Sequence, residues 1–402
     1  LAKNVILLTI DALRKDVLGC YGGGGETPFL NSLQNRSIKF TKAYSGGPYT
    51  QAGFPGILSS SYYLDFGKTK GRCPPGRVLI PEILKKGGIR TAALHSNAYI
   101  SSFFGWNRGW DHFYDSMEEQ VSERVPYIRA GEINRKVAEW FKRTLPDGGE
   151  PFFLWMHYMD VHEPYVPEAE YLEKVDPSLK ISQEEMFQLF KNVVLKRDVS
   201  SKETVAILKK LYLAQVVEVD IAVAGFFRIL ESFGLDKNTT VIITADHGEE
   251  FGEHGGLSHD GKMYEELVSA PLLIYDPGLS QPVVWDRIVS TLDIPPTVTE
   301  LFNLPPSPAW QGQCLLPLGK HEERGVYGEA IDKHGARELG DEKEVHYYRE
   351  GDLKIHYRET DDSWQLYNLM EDPGEKNNIY GKDTTSEYLM KKIIPRIKRF
   401  KG

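Results

Sequence analysis

Two short apolar runs in this chain end in acids. Ile6-Leu7-Leu8-Thr9-Ile10 runs into Asp11, and Val241-Ile242-Ile243-Thr244-Ala245 runs into Asp246, which His247-Gly248-Glu249 follows. Ligands of open α/β sheets sit beyond the carboxyl ends of the strands. Two carboxylates and an imidazole delivered there form a plausible site for one divalent cation; Mn, Mg, Ca and Zn all fit, and the residue types do not choose among them.

Both runs are strand-sized and need an α/β frame to hold them. The chain alternates short β-branched runs with longer amphipathic segments, the signature of that class. We expect strands at Asn4–Ile10, Arg90–Leu94, Pro151–Met156, Thr240–Ala245 and Ala270–Tyr275. Helices are expected at Pro81–Lys86, Glu132–Thr144 and Lys202–Phe233, with Gly234 closing the last. The fold expected is a large, mostly parallel sheet flanked by helices over residues 1–318. A small C-terminal α+β subdomain should span 319–402: an antiparallel sheet including Val345–Arg349 and Leu353–Arg358, and a closing helix near Glu387–Phe400. The charged stretch Glu168–Ser201 reads as an irregular insertion over the catalytic face. Asn97, just after a strand, is a candidate pocket residue.

The 402 residues carry a net charge of −9, which argues against a nucleic-acid binder, because that task needs a basic face. An anionic substrate must be drawn in by local positive charge. No apolar run reaches membrane-spanning length, and Val5–Ile10 leads into an acid instead of a cleavage site, so neither a membrane anchor nor a signal peptide is expected. The chain begins at Leu1, which leaves room for a short preceding segment. Three widely spaced cysteines (Cys20, Cys73, Cys314) fit reduced thiols, and the expected compartment is the cytoplasm. Oligomeric state is open.

Longer motifs narrow the chemistry. Asp11-Ala12-Leu13-Arg14-Lys15-Asp16, Gly19-Cys20-Tyr21-Gly22 and Thr27-Pro28-Phe29-Leu30 resemble the N-terminal signature of the sulfatases, in the alkaline phosphatase superfamily. Thr244–Gly248 with Glu253-His254-Gly255 resembles their second metal segment. Tyr264-Glu265-Glu266 leading to Ala270-Pro271-Leu272, Gly105–Asp111 and His157–Tyr165 match further blocks, and Trp364–Leu369 with Glu371–Glu375 resembles the C-terminal signature. The blocks occur in order across nearly the whole chain.

The resemblance implies a metal-dependent ester hydrolase with Asp11, Thr50, Asp246 and His247 around one cation. Thr50, in Gly47–Ser60, stands where the family places a Cys or Ser that becomes formylglycine. Threonine cannot be so oxidised, which points toward an unmodified hydroxyl nucleophile and phosphate diesters or phosphonate monoesters, activated by metal or base. Sulfuric ester hydrolysis is the alternative; a catalytically silent binding protein of the same fold is another. Cys73-Pro74-Pro75-Gly76-Arg77 fits the bare formylglycine pattern but lies downstream of the expected place. The resemblance also implies His162 as a substrate-contacting catalytic residue. It implies His259, ahead of Lys262, as the basic group on the anion, the matching position itself being Asp260. His157 reads as packing or bonding locally, and Arg14 as pairing near the metal acids. The substrate expected is a small anionic ester.

Overall fold

The computed structural model describes residues 4–69, 71–115, 117, 119–145, 149, 151–318, 322–332, 342–382 and 384–399. Its centre is a sheet of eight strands. In chain order these are β1 (Asn4–Ile10), β2 (Ser37–Tyr44), β3 (Arg90–Leu94), β4 (His112–Tyr114), β5 (Phe152–Tyr158) and β6 (Thr239–Ala245). A two-stranded hairpin follows, β7 (Glu250–Phe251) with β8 (Leu257–Ser258), before β9 (Ser269–Tyr275) and β10 (Val283–Ser290) complete the large sheet. The order across it is β10-β2-β9-β6-β1-β5-β3-β4, with β9 antiparallel to both neighbours and the other pairs parallel.

Ten helices are described: α1 (Pro28–Leu33), α2 (Thr50–Ser59), α3 (Ile80–Lys86), α4 (Ala130–Thr144), α5 (Ala169–Val175), α6 (Gln183–Leu189), α7 (Lys202–Ser232), α8 (Glu265–Val268), α9 (Ile294–Leu301) and α10 (Thr385–Arg399). Successive residues of a strand face opposite sides of a sheet. In β1, Ile6, Leu8 and Ile10 therefore pack into the core that holds α4 and α7, while Val5 and Leu7 join the core that holds α2, α3 and α9. Burial on both faces explains why the central strands read as unbroken apolar runs. None of the described helices is long and apolar enough to cross a membrane.

The expected elements are present, with ends displaced by a residue or two. The structure adds β2 and β10, which pair at the sheet edge. Their sequences, Ser37-Ile38-Lys39-Phe40-Thr41-Lys42 and Val283-Val284-Trp285-Asp286-Arg287, interleave charge with apolar residues because one side meets solvent. Glu168–Ser201 is more regular than expected: it contains α5, α6 and a π-helical turn at Phe190–Val194. The expected division at 318/319 and the helix end at Phe400 touch residues outside those described.

The C-terminal sheet is antiparallel, β11 (Val326–Asp332), β12 (Lys343–Glu350), β13 (Leu353–Arg358) and β14 (Ser363–Asn368) in sequential order. Leu389, Ile393 and Ile397, one stripe of α10, close over Ile355, Tyr357 and Leu366. A buried ion pair ties this sheet to the large one: Lys354 Nζ lies 3.0 Å from Glu265 Oε1 of α8 and 3.1 Å from Glu375 Oε1. Burial alone would raise the Glu375 carboxyl, but Lys354 and His356 outweigh it and bring it to about 2. A depressed carboxyl contributes stability above its unfolded value near 4.5, and that contribution is lost as pH falls toward 2. Lys354→Met should therefore cost about 3–5 kcal/mol in urea unfolding at neutral pH, by leaving Glu375 buried and uncompensated. The variant should also show a shallower loss of stability between pH 5 and 2 than wild type; equal profiles would contradict the pairing.

Candidate active site

Strand register brings the two acids together. In the parallel pairing of β1 with β6, Ile10 stands opposite Ala245, so Asp11 and Asp246 leave the sheet side by side. Ala12 adopts a left-handed conformation (φ 53°), uncommon for a residue with a Cβ, and its N–H donates to Asp246 Oδ1 at 3.3 Å. The Tyr212 hydroxyl of α7 donates to the Ala12 carbonyl and accepts from the Arg14 N–H, both at 2.8 Å. The His247 N–H donates to Asp246 Oδ1 at 3.0 Å. Its Nδ1 lies 2.7 Å from the Gly248 carbonyl, which can only accept. That bond makes Nδ1 the donor and aims Nε2 at Asp11 Oδ1 (3.4 Å) and Asp246 Oδ2 (3.6 Å).

Asp11 Oδ1 and Asp246 Oδ2 are both buried without a hydrogen-bond partner. Buried acceptors left unpaired are costly, and these two converge with an imidazole nitrogen. That donor set fits a divalent cation.

Thr50 is the first residue of α2. Its Oγ1 lies 3.4 Å from Asp11 Oδ2 and 3.5 Å from His247 Nε2. Only a glycine lets α2 approach this closely: a Cβ on Gly53 would stand 2.5 Å from the Asp246 carbonyl oxygen. The Ser45 hydroxyl also donates to that carbonyl. The helix N-terminus adds partial positive charge where an anion would meet Thr50. The four residues expected around a cation are thus brought together.

Other expected residues flank them. Asn97, just beyond β3, donates from Nδ2 to Asp11 Oδ2 at 2.8 Å. His157, expected to bond locally, does so through Nδ1 to the Thr9 hydroxyl (2.8 Å), but its Nε2 also reaches Asp11 Oδ2 at 3.2 Å. His162 and His259 face each other with ring centroids 5.0 Å apart, and His259 lies 4.4 Å from the His247 ring. Two acids that sequence reasoning passed over complete the group. Glu249 Oε1 stands 3.0 Å, and Glu163 Oε2 3.8 Å, from His259 Nδ1. Glu249 was visible in Asp246-His247-Gly248-Glu249, but nothing local says that its carboxylate meets a ring ten residues on.

The charges are strongly coupled. Burial would raise the Asp11 carboxyl, yet the His162 charge and hydrogen bonds with His157 and His247 hold it well below the usual range. Burial and the neighbouring Asp11 push Asp246 up to about 6. Burial opposes a charge on His247, but Asp246 and Asp11 outweigh it and lift the imidazole to about 10. Burial, then the His247 charge, pushes His259 well below its ordinary value, whereas Asp11 and Glu163 raise His162 against burial. Burial and Glu163 push Glu249 well up.

One expectation needs correction. Lys262 does not join the group: its ammonium is held by Glu250 Oε2 at 2.8 Å and the His254 carbonyl at 3.1 Å. Asp160, close in sequence to His162, accepts the Ala130 N–H at the start of α4. Arg14, expected to pair near the metal acids, pairs there with Asp16 and Glu253 and donates to the Glu249 carbonyl at 2.9 Å. Cys73 is a buried free thiol packed with Trp106 and Trp110, its Sγ 3.4 Å from Arg108 Nη2.

A family model described as Sulfatase matches residues 3–304, well over half of the chain. The chain belongs to the sulfatase family. As a member of that family it is an ester hydrolase, of a class that generally uses a divalent metal ion. A second model, described as N-sulphoglucosamine sulphohydrolase, C-terminal, matches residues 252–401 of this sulfatase-family chain. An arylsulfatase of Clostridium perfringens is 22% identical over 98% of this chain and 94% of its own length. An N-acetylglucosamine-6-O-sulfatase of Bacteroides thetaiotaomicron is 23% identical over 96% and 84%. Among solved structures, BT4656 in complex with its substrate D-glucosamine-2-N,6-O-disulfate superimposes with a TM-score of 0.80 at 20% identity, covering 100% of this chain and 98% of that one. The phosphonate monoester hydrolase of Agrobacterium radiobacter gives a TM-score of 0.75 at 17% identity, covering 99% and 95%. These superpositions establish the shared fold.

Proposed function

We propose that this chain hydrolyses sulfuric esters of small anionic substrates by double displacement at Thr50. The observation that carries the reading is the Thr50 hydroxyl at the start of α2, facing Asp11 and His247 beside two unpartnered carboxylate oxygens. Asp11, Asp246, His247 and Thr50 Oγ1 would hold the cation, which when bound favours the Thr50 alkoxide and offsets charge on the ester. Asn97 and His157 fix Asp11 on its other side, so that one oxygen stays turned to the site. His162 and His259 follow one another ring to ring from His247, and would serve there where a leaving oxygen needs a proton and the ester oxygens need donors. The Thr50 ester formed in the first displacement is hydrolysed by water in the second.

The sulfuric ester is preferred because the matching family models and the full-length relatives named above bear sulfatase names. Phosphate diesters or phosphonate monoesters are the second reading, favoured by Thr50 standing where formylglycine is otherwise made. The test is hydrolysis of aryl sulfate, aryl phosphodiester and aryl phosphonate monoester by the chain supplied with Mn²⁺, Mg²⁺, Ca²⁺ or Zn²⁺. Cation-dependent aryl sulfate turnover is expected. Phosphorus ester turnover with sulfate untouched would move the assignment to the second reading. Cys73→Ala, which leaves nothing to oxidise, should keep kcat within about threefold if Cys73 is not the reacting group. A collapse of activity, with a formylglycine mass at Cys73 in wild type, would defeat the Thr50 mechanism.

A further inference from the structure

Thr50 is only 3% exposed, so the acid end of a substrate must reach inward while the rest of it lies on the rim. Two segments build the rim beside Thr50. The first follows β3. Asn97 shares one oxygen with Thr50: its Nδ2 donates to Asp11 Oδ2 at 2.8 Å, and Thr50 Oγ1 lies 3.4 Å from the same atom. Asn97 Oδ1 accepts the Tyr99 N–H at 2.9 Å, and short helical turns follow at Ala98–Ile100 and Ser102–Phe104. The second segment is Gly71–Cys73. A Cβ on Gly71 would stand 3.2 Å from Cγ of Gln51, the residue after Thr50.

The two segments are joined to each other. The Cys73 N–H donates to the Phe104 carbonyl at 2.8 Å, and Trp106 Nε1 donates to the Gly71 carbonyl at 3.2 Å. The Ser102 N–H and hydroxyl both donate to Asp115 Oδ2, at 2.8 and 2.7 Å. On this pinned rim stand two rings that the core does not take up: Tyr99 is 49% exposed and Phe103 66%. Phe104 touches both, with ring centroids 6.2 Å from Tyr99 and 5.0 Å from Phe103. The guanidinium of Arg72, itself exposed, lies 5.6 Å from the Phe103 ring centroid. Apolar residues exposed singly are ordinary, whereas a cluster of them beside a reacting group marks a binding surface. Rigid aromatic side chains supply contact area at little cost in conformational entropy. A chain of net charge −9 must hold an anion by local cations, and Arg72 places one at the edge of the rings.

We infer, resting on hydrolysis at Thr50 as proposed above, that Tyr99, Phe103 and Arg72 form the leaving-group subsite, which selects esters whose alcohol carries a flat ring and a second negative charge. The ring face lies against Tyr99 and Phe103, and the second charge meets Arg72. Aromatic and pyranose rings both present such a face.

The test is calorimetric titration of the full chain, loaded with Mn²⁺, with unreactive sulfonates. These are para-sulfobenzoate (ring and second charge), benzenesulfonate and a glucose sulfonate (an aromatic and a pyranose ring alone), and sulfobutyrate (second charge without a ring). Wild type should bind at least one ring sulfonate more tightly than sulfobutyrate, and the ring preferred names the source. Tyr99→Ala and Phe103→Ala should each weaken that ring sulfonate about 3–10-fold, the scale of one ring contact. Arg72→Gln should weaken para-sulfobenzoate about 2–5-fold more than benzenesulfonate, a gap that closes as salt rises. All three side chains are exposed, so Tm should stay at the wild-type value. With an aryl ester, the ring variants should raise KM and keep kcat, because the contact is made equally in the ground and transition states. Ring sulfonates bound no more tightly than sulfobutyrate, affinities unchanged in both ring variants, or kcat falling at constant KM would overturn the inference. A wild-type dimer lost in Phe103→Ala would also overturn it, by giving the rings to a second copy. Turnover surviving in Thr50→Ala would instead bring down the reading of Thr50, while the sulfonate affinities still judge the rim.

Discussion

Thr50→Ala should abolish turnover, lowering kcat by roughly 10⁴–10⁶-fold, the scale seen when a covalent nucleophile is removed. The folded chain should tolerate the change. Thr50 loses only long contacts, at 3.4 Å to Asp11 and 3.5 Å to His247, and α2 is held by the close approach of Gly53 to β6 and by Phe54, Ile57 and Leu58 in the core. Thr50→Ser should retain measurable activity, since the hydroxyl survives at the helix start. Steady-state kinetics with thermal unfolding separates the effects: a fall in activity without a fall in Tm is expected. If Thr50→Ala kept activity within about tenfold of wild type, no covalent role for Thr50 could stand.

The second large effect concerns Asp246→Asn, and its sign depends on the cation. In the presence of chelator the wild-type chain holds Asp11 and Asp246 side by side, and burial with Asp11 lifts Asp246 from 3.8 to about 6. A carboxyl raised in the folded state contributes stability that is fully present below its unfolded value and is lost as pH rises through about 6. At pH 8 the ionised Asp246 therefore costs about 3 kcal/mol, since each tenfold change in proton affinity is worth about 1.4 kcal/mol. Asparagine keeps an oxygen for the Ala12 and His247 N–H groups without that charge. Asp246→Asn should accordingly be more stable than wild type in chelator at pH 8, with the difference vanishing toward pH 4. Adding Mn²⁺ should reverse the order. A cation at about 1,000 times its Kd stabilises wild type by about 4.1 kcal/mol, more than that deficit, and the variant gains little. Because His247 is lifted to about 10 in the same group, the cation competes with a proton there, so its affinity should rise with pH. Calorimetric melts with and without Mn²⁺ check all three statements. A variant less stable than wild type in chelator, or equal protection of both chains by Mn²⁺, would remove Asp246 from the cation site.

The two predictions separate functions that the structure places within one cluster. Thr50 sits on the helix side of Asp11, and loses chemistry when changed. Asp246 sits on the strand side, and its change alters the electrostatic balance of the metal-free fold as well. The Glu249–His259 pair lies beyond His247, joined to the cluster by ring contact. A residue's effect on stability thus depends on which neighbour its charge was facing.

The sequence by itself determined the fold class, because strands buried on both faces must be written as continuous apolar runs, and β1, β5 and β6 are. It also determined which acids leave the sheet at its functional edge, because an acid directly after such a run has nowhere else to go. Thr50 was legible only through the order of motifs around it, and its departure from the usual nucleophile was visible in a single residue. What tertiary structure alone decided was partnership. Whether His259 or Lys262 reaches the site turns on the left-handed turn at Ser258, which sends His259 inward while Glu250 and the His254 carbonyl hold Lys262 elsewhere. Likewise Asp160 was spent on the start of α4, and Glu249, local to His247 in sequence, meets a ring delivered by the β7–β8 hairpin. Residue type and spacing specify what an element can carry, whereas the pairing of charges across elements is set by register and loop conformation, which are properties of the packed chain.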